Sequence, residues 1–182
     1  MSFSHRMTRV HPMTLKNFPT FVIHYEVPVM NTETSKEHLN TLARYCAYQE
    51  RCVQDVKQKM FELGVLPDEQ KTLLQHLMKE GFLDEERYAT TYVRGKFKIN
   101  QWGKHKIKAG LIQKGIPSEL IYNALIALDP SEYTALAQSL AEKHLPKIKA
   151  KNDFERQQKL RFYLSQRGFE MEVINNVINV IM

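Results

Sequence analysis

Residues 81–116, GFLDEERYATTYVRGKFKINQWGKHKIKAGLIQKGI, carry three consecutive acids near their start and then eight Lys or Arg side chains with no further acid. Two tyrosines and Trp102 are interleaved among them. Guanidinium and ammonium groups bind phosphates and carboxylates through charge-assisted hydrogen bonds, so the chemistry on offer is recognition of a polyanion or of an acidic protein surface. Residues for bond-making chemistry do not assemble. The seven histidines form no HExxH or HxxxH pair, and Gly103-Lys104 lacks both the preceding glycine spacing and the following Ser or Thr of a P-loop. GxSxG and GxGxxG are missing as well. Cys46 and Cys52 lie six apart, which suits neither a CxxC redox pair nor a zinc site, and read as reduced thiols. The expectation is a non-enzymatic protein with no catalytic residue, cofactor or metal.

The cations have helical order. At 100° per residue, Arg87, Arg94 and Lys98 fall within about 40° of one another, beside or opposite the apolar side made by Tyr88, Ala89 and Tyr92. On the next helix Lys104 and Lys108 stack at i and i+4 on one flank of Ile107 and Leu111, Lys106 lies on the other flank, and His105 points away. A second basic cluster, KHLPKIKAK, is followed by Arg156, Lys159, Arg161 and Arg167. Long basic side chains also serve simply to solubilise helix faces, but two clusters with almost no interleaved acid favour binding. Trp102, between Asn100 and Gly103, is expected to pack over a helix junction; stacking on an unpaired base is the alternative. Tyr88, Tyr92 and Phe97 keep helical spacing with Val93 and read as core or half-buried. The three acids of Asp84, Glu85 and Glu86 suit the first turn of a helix, where the dipole favours them, better than a metal site.

The elements that position these residues are helices. The chain has 182 residues, few of them Gly or Pro, and is rich in Leu, Ile, Lys, Glu, Gln and Ala, which predicts an all-α protein. Thr34 with Glu37, Asp129 with Glu132, and Asn152 with Glu155 have capping-box spacing; Asp84, Pro67 and Pro117 mark further helix starts. Gly64, Gly81, Gly115 and Gly168 suit left-handed positions just past helix ends.

Those glycines expose a repeat. Eight and four residues before Gly64, Gly115 and Gly168 stand Val56 and Met60, Ile107 and Leu111, and Leu160 and Leu164; just after stand Val65, Ile116 and Phe169. Nine, ten and thirteen after the glycine come Leu73, Leu74 and Leu77, then Ala124, Leu125 and Leu128, then Val177, Ile178 and Ile181. The period is 51 and then 53 residues. This predicts three tandem three-helix repeats, with helices over 35–50, 52–63, 68–79, 84–99, 104–114, 118–128, 131–145, 153–167 and 170–181, forming an elongated, curved body. Met60 and Met78 are assigned to its core. The repeats span 34–80, 81–129 and 130–182. Residues 1–33, broken by Pro12, Pro19 and Pro28, read as an irregular extension, and Met30 is an alternative start.

A formal charge of +6 directs attention to nucleic acid or acidic protein partners. A helix-turn-helix reading of residues 104–128 is disfavoured for sequence-specific binding, because the would-be recognition helix carries Glu119 and no Arg, Lys or Gln to reach a base edge. Non-specific phosphate contact remains open. No apolar run approaches the roughly 18 to 20 residues needed to span a bilayer, and no signal-peptide h-region is present, so a cytoplasmic monomer without membrane contact is expected.

The phrases GFLDEERYATTYVRGK, WGKHKIKAGLIQKGI and RQQKLRFYLSQRGFEMEVI, in that order, resemble the RecX family of bacterial recombination regulators, and RCVQDVKQKMFELG resembles that family's weaker opening repeat. The resemblance covers about residues 35–182 and leaves the extension without a counterpart. It implies three tandem three-helix repeats in a bent body. It further implies binding to the RecA–DNA filament, inhibition of recombinase ATPase, strand-exchange and co-protease activities, and a role in homologous recombination, DNA repair and the SOS response. The site residues expected to face the filament or DNA are Arg87, Arg94, Lys98, Lys104 and Lys108, with Arg156, Lys159 and Arg161 behind them. Two other readings stay open: a general DNA-binding helical module acting without a recombinase, and a helical scaffold for an unrelated partner.

Overall fold

The computed structural model of the protein describes residues 33–182. The irregular extension and the alternative start at Met30 fall outside the described residues, and Glu33 already belongs to the first helix. Nine α-helices occur among the described residues: α1 Glu33–Tyr48, α2 Val53–Glu62, α3 Pro67–Lys79, α4 Glu85–Lys98, α5 Lys104–Gln113, α6 Ser118–Ile126, α7 Pro130–His144, α8 Asp153–Arg167 and α9 Met171–Ile181, with a 3-10 turn at Leu145–Lys147. No strand occurs among the described residues. The fold is all-α, and each helix lies within about two residues of the expected span, as frayed ends allow.

Local chemistry explains most boundaries. Asp84 and Asn152 cap α4 and α8 by accepting the N–H of Arg87 at 2.9 Å and of Glu155 at 2.8 Å, and Asp129 accepts from Glu132 at 2.8 Å to cap α7. Pro67 opens α3 at its first turn, whereas Pro117 sits one position earlier, at the cap of α6. The Thr34–Glu37 pair is the exception. Thr34 lies inside α1, and a residue with helical backbone cannot serve as the extended N-cap. Gly64, Gly81, Gly115 and Gly168 all have positive φ, between 72° and 91°, the left-handed region that lets the helix before each of them end in a turn without a Cβ penalty.

The extensive helix pairings all fall within α1–α3, α4–α6 and α7–α9. Val56, Met60, Ile107, Leu111, Leu160 and Leu164, the residues before each repeat glycine, are fully buried, and Val65, Ile116 and Phe169 after it are buried too. Burying each such side chain contributes about 1.5–3 kcal/mol, so the repeat is a repeat of core positions. Met78 departs from its assignment: it is 45% exposed, because Leu73 and Leu77 define the buried stripe of α3 and Met78 stands a further 100° around the helix. Tyr88 and Phe97 are buried and Tyr92 is partly buried, as expected.

Two cores result. Leu42, Cys46, Val56, Met60, Val65, Leu73, Leu77 and Leu83 form the core of α1–α3, while α4–α9 share a single larger core. Across the boundary each side lends a residue to the other. Leu83, which precedes α4, is buried in the first core, and Cys52, at the start of α2, is buried in the second. Both cysteines are free and buried.

Candidate filament or nucleic-acid surface

The basic residues separate into those committed to the fold and those left free. Arg87 is committed. Its Nε meets Glu50 Oε1 at 2.7 Å, its Nη2 donates to the Gly81 carbonyl at 3.0 Å, and Asp84 lies 3.8 Å from Nη1. The hydrogen bond to Glu50 raises the Arg87 pKa, opposed by slight desolvation. The guanidinium therefore ties α4 to the loop after α1. Lys114, which the sequence reading did not single out, makes a parallel tie: its Nζ donates to Asp55 Oδ1 at 2.7 Å. Burial works to raise the Asp55 pKa, but hydrogen bonds from Lys114 and Cys52 outweigh it and hold the carboxylate below its ordinary range.

At the other end of α4, Lys98 pairs with Glu132 of α7 at 3.6 Å, both well exposed. Arg94, between these two, is exposed and has no ion-pair or hydrogen-bond partner among the described residues; the same holds for Lys108 on α5. Lys104 is half-buried, with Nζ 4.7 Å from the Tyr133 ring centre, a cation–π contact. Among the described residues, the expected stripe along α4 is thus one unpaired guanidinium flanked by two tied cations.

In the third triplet, Arg156 pairs with Asp153 at 2.8 Å and Lys159 pairs with Glu155 at 2.7 Å while also donating to the Lys149 carbonyl at 2.7 Å. Arg161 donates from Nε to Asn175 Oδ1 at 3.3 Å. These contacts are on the surface, where an ion pair contributes about 0–1 kcal/mol, so a strongly anionic partner can displace them.

Trp102 is half-buried against the larger core and stands between two ammonium groups, Lys96 Nζ at 4.9 Å and Lys106 Nζ at 4.8 Å from its ring. Packing at the junction is therefore its role, with a cationic rim added. Lys96 and Lys106, placed six residues before and four after Trp102, carried that signal in their spacing around the only tryptophan. The junction beneath is built from backbone. Gly103 N–H donates to the Arg167 carbonyl at 2.8 Å and His105 N–H to the Gly168 carbonyl at 3.0 Å, so the free N–H groups opening α5 meet the free carbonyls closing α8. Lys104 N–H is satisfied by the Tyr133 hydroxyl at 2.8 Å, which in turn donates to the Glu170 carboxylate. Burial, followed by that bond to Glu170, pushes the Tyr133 phenol far up.

Known proteins resemble this chain in sequence and in fold. Residues 84–125 match a family model described as RecX, second three-helix domain, and residues 131–178 match RecX, third three-helix domain. A regulatory protein RecX of Leuconostoc citreum (strain KM20) is 30% identical over 141 residues, 78% of this chain and 53% of that protein. The chain belongs to the RecX family. The RecX of Prosthecochloris aestuarii (strain DSM 271 / SK 413) is 26% identical over 155 residues, 84% of this chain and 99% of that protein. A crystal structure of RecX from Lactobacillus salivarius superposes with a TM-score of 0.74 and 25% identity, covering 80% of this chain and 95% of that one. The chain spans about half the length of the RecX proteins of Leuconostoc citreum and Enterococcus faecalis (strain ATCC 700802 / V583) that it matches. No helix among the described residues is long and apolar enough to cross a membrane.

Proposed function

We propose that this RecX-family protein is a regulator that binds the RecA–DNA filament and inhibits its ATPase, strand-exchange and co-protease activities without chemistry of its own, acting as a cytoplasmic monomer. The observation that carries the reading is the pair of tandem three-helix domains matched to RecX, in a chain of net charge +6. Arg94 and Lys108 are the foremost contact candidates of the eight, because their charges are not spent on pairs with any of the described residues. Lys104, Lys98, Arg156, Lys159 and Arg161 rank next, since each holds a weak or exposed partner that an acidic subunit surface or a phosphate can replace. Arg87 ranks last. Removing it breaks a tie within the protein and confounds any loss of binding.

The test is inhibition of the cognate recombinase's DNA-dependent ATPase by the Arg94→Glu/Lys108→Glu variant. Loss of inhibition at unchanged helicity is expected, since exposed substitutions cost only about 0.5 kcal/mol in stability. Unimpaired inhibition would return both residues to a solubilising role. A general DNA-binding module is distinguished by equal affinity for bare single strands and for filaments, with equal salt slopes of about −0.7 per phosphate.

A further inference from the structure

The third triplet also carries a groove, between the end of α7 with its following 3-10 turn and the outer side of α8. It is a shallow, open depression of about 780 Å³ bordered by Lys147, Lys149 and Lys159, with Glu155 paired to the last of these. Its floor is aromatic. The His144 and Tyr163 rings stack in parallel, 3.7 Å between centres and 8° apart, and the Arg167 guanidinium sits 5.4 Å from the Tyr163 ring. Phe162 lines the same groove and is 66% exposed, on the side of α8 opposite the buried Leu160 and Leu164.

The groove is continuous with the cationic rim of Trp102. Lys106 Nζ donates to the Gln166 carbonyl at 3.3 Å, Gln166 lines the groove, and Arg167 Nη1 donates to the Asn100 carbonyl at 3.4 Å. A strip of alternating cations and ring faces thus runs from Lys96, Trp102 and Lys106 across the junction to Phe162 and Lys147. Burial, with Lys147 and Arg167 nearby, lowers the His144 pKa below its ordinary 6.5, so at neutral pH the stacked imidazole is uncharged.

We infer that this strip is a track for single-stranded nucleic acid, with a base stacked on Phe162 beside the His144–Tyr163 pair and phosphates following Lys147, Lys149, Lys106 and Lys96. The charge is complementary to a phosphate chain, and the exposed Phe162 ring beside the half-buried His144 and Tyr163 offers a base a stacking face that an acidic peptide does not need. The inference extends the regulatory reading and is tested without a recombinase, so either can fail alone.

The probes are an oligothymidylate about 12 nucleotides long, within the site size of single-strand binders, and an abasic oligonucleotide of the same length, which keeps the phosphates and lacks the bases. Fluorescence anisotropy with the full chain should show tighter binding of oligothymidylate, by about fivefold or more. Phe162→Ala should abolish that preference while leaving affinity for the abasic strand unchanged. Phe162→Tyr should restore it. Lys147→Gln/Lys149→Gln should weaken both probes alike and make the salt slope shallower by about 0.7 for each phosphate no longer neutralised. Equal affinity of the unsubstituted protein for the two probes, or a Phe162→Ala weakening shared by both, would overturn the inference and leave the groove to an acidic protein surface.

Discussion

The two junctions between successive triplets are built on different physics. Between α1–α3 and α4–α6 the cores stay separate, exchange only Cys52 and Leu83, and are held by two charged ties, Arg87 to Glu50 and Lys114 to Asp55. Between α4–α6 and α7–α9 the core is continuous, and the Gly103 and Gly168 backbones are in direct contact. Tyr133 sits between Phe97 and Phe169 with ring centres 5.9 and 5.3 Å away. Partly exposed ion pairs are screened and individually weak, whereas a shared apolar core with satisfied backbone groups is not. The first triplet should therefore open at lower free energy than the body formed by the other two.

The largest expected effect breaks the second junction. A Cβ on Gly103 would overlap the Gly168 carbonyl group and the Phe169 nitrogen, backbone atoms that cannot swing aside. Gly103→Val should cost about 3 kcal/mol or more and split one calorimetric transition of the α4–α9 body into two. Retention of a single transition at the original temperature would mean that the two triplets do not depend on this contact. Tyr133→Phe comes next. It leaves Lys104 N–H and the Glu170 carboxylate without their partner and should cost about 1–3 kcal/mol, read from denaturant midpoints at constant m.

Asp55→Asn addresses the first junction, with an expected cost of about 1 kcal/mol confined to the first triplet, measured by hydrogen exchange on α1–α3. The pH dependence has a definite sign. Because the folded carboxylate titrates below its ordinary value of 3.8, its contribution is complete above that pH and disappears as pH falls through the lower folded value. The gap between the original protein and Asp55→Asn should hold from neutrality down to about pH 4 and close below it. A gap that widens in acid would contradict the tie. The smallest effect sharpens the contrast from the other side: Lys98 to Glu132 is the exposed ion pair across the second junction, and Lys98→Gln should change thermal stability by no more than about 0.5 kcal/mol.

The sequence by itself determined the elements, their order and their buried stripes. Caps at Asp84, Asp129 and Asn152, left-handed glycines at 64, 81, 115 and 168, and apolar positions four and eight before the repeat glycines act within one or two helical turns, so their physics is complete in a short window. Thr34 and Met78 show the limit of such windows. The first has the right spacing inside a helix that has already begun, and the second is an apolar residue one position past a stripe that Leu73 and Leu77 had filled. Only the tertiary structure decided which cations are free. Arg87, Arg94 and Lys98 share a helix face, yet Glu50 stands 37 residues from the first and Glu132 binds the last, leaving Arg94 alone without a partner among the described residues. It also decided that Gly103 is a close-approach glycine and that Lys106 and Arg167 meet around one junction, because charge pairing and backbone contact across repeats depend on how helices dock, and docking is settled by core packing at sequence separations that no local pattern records.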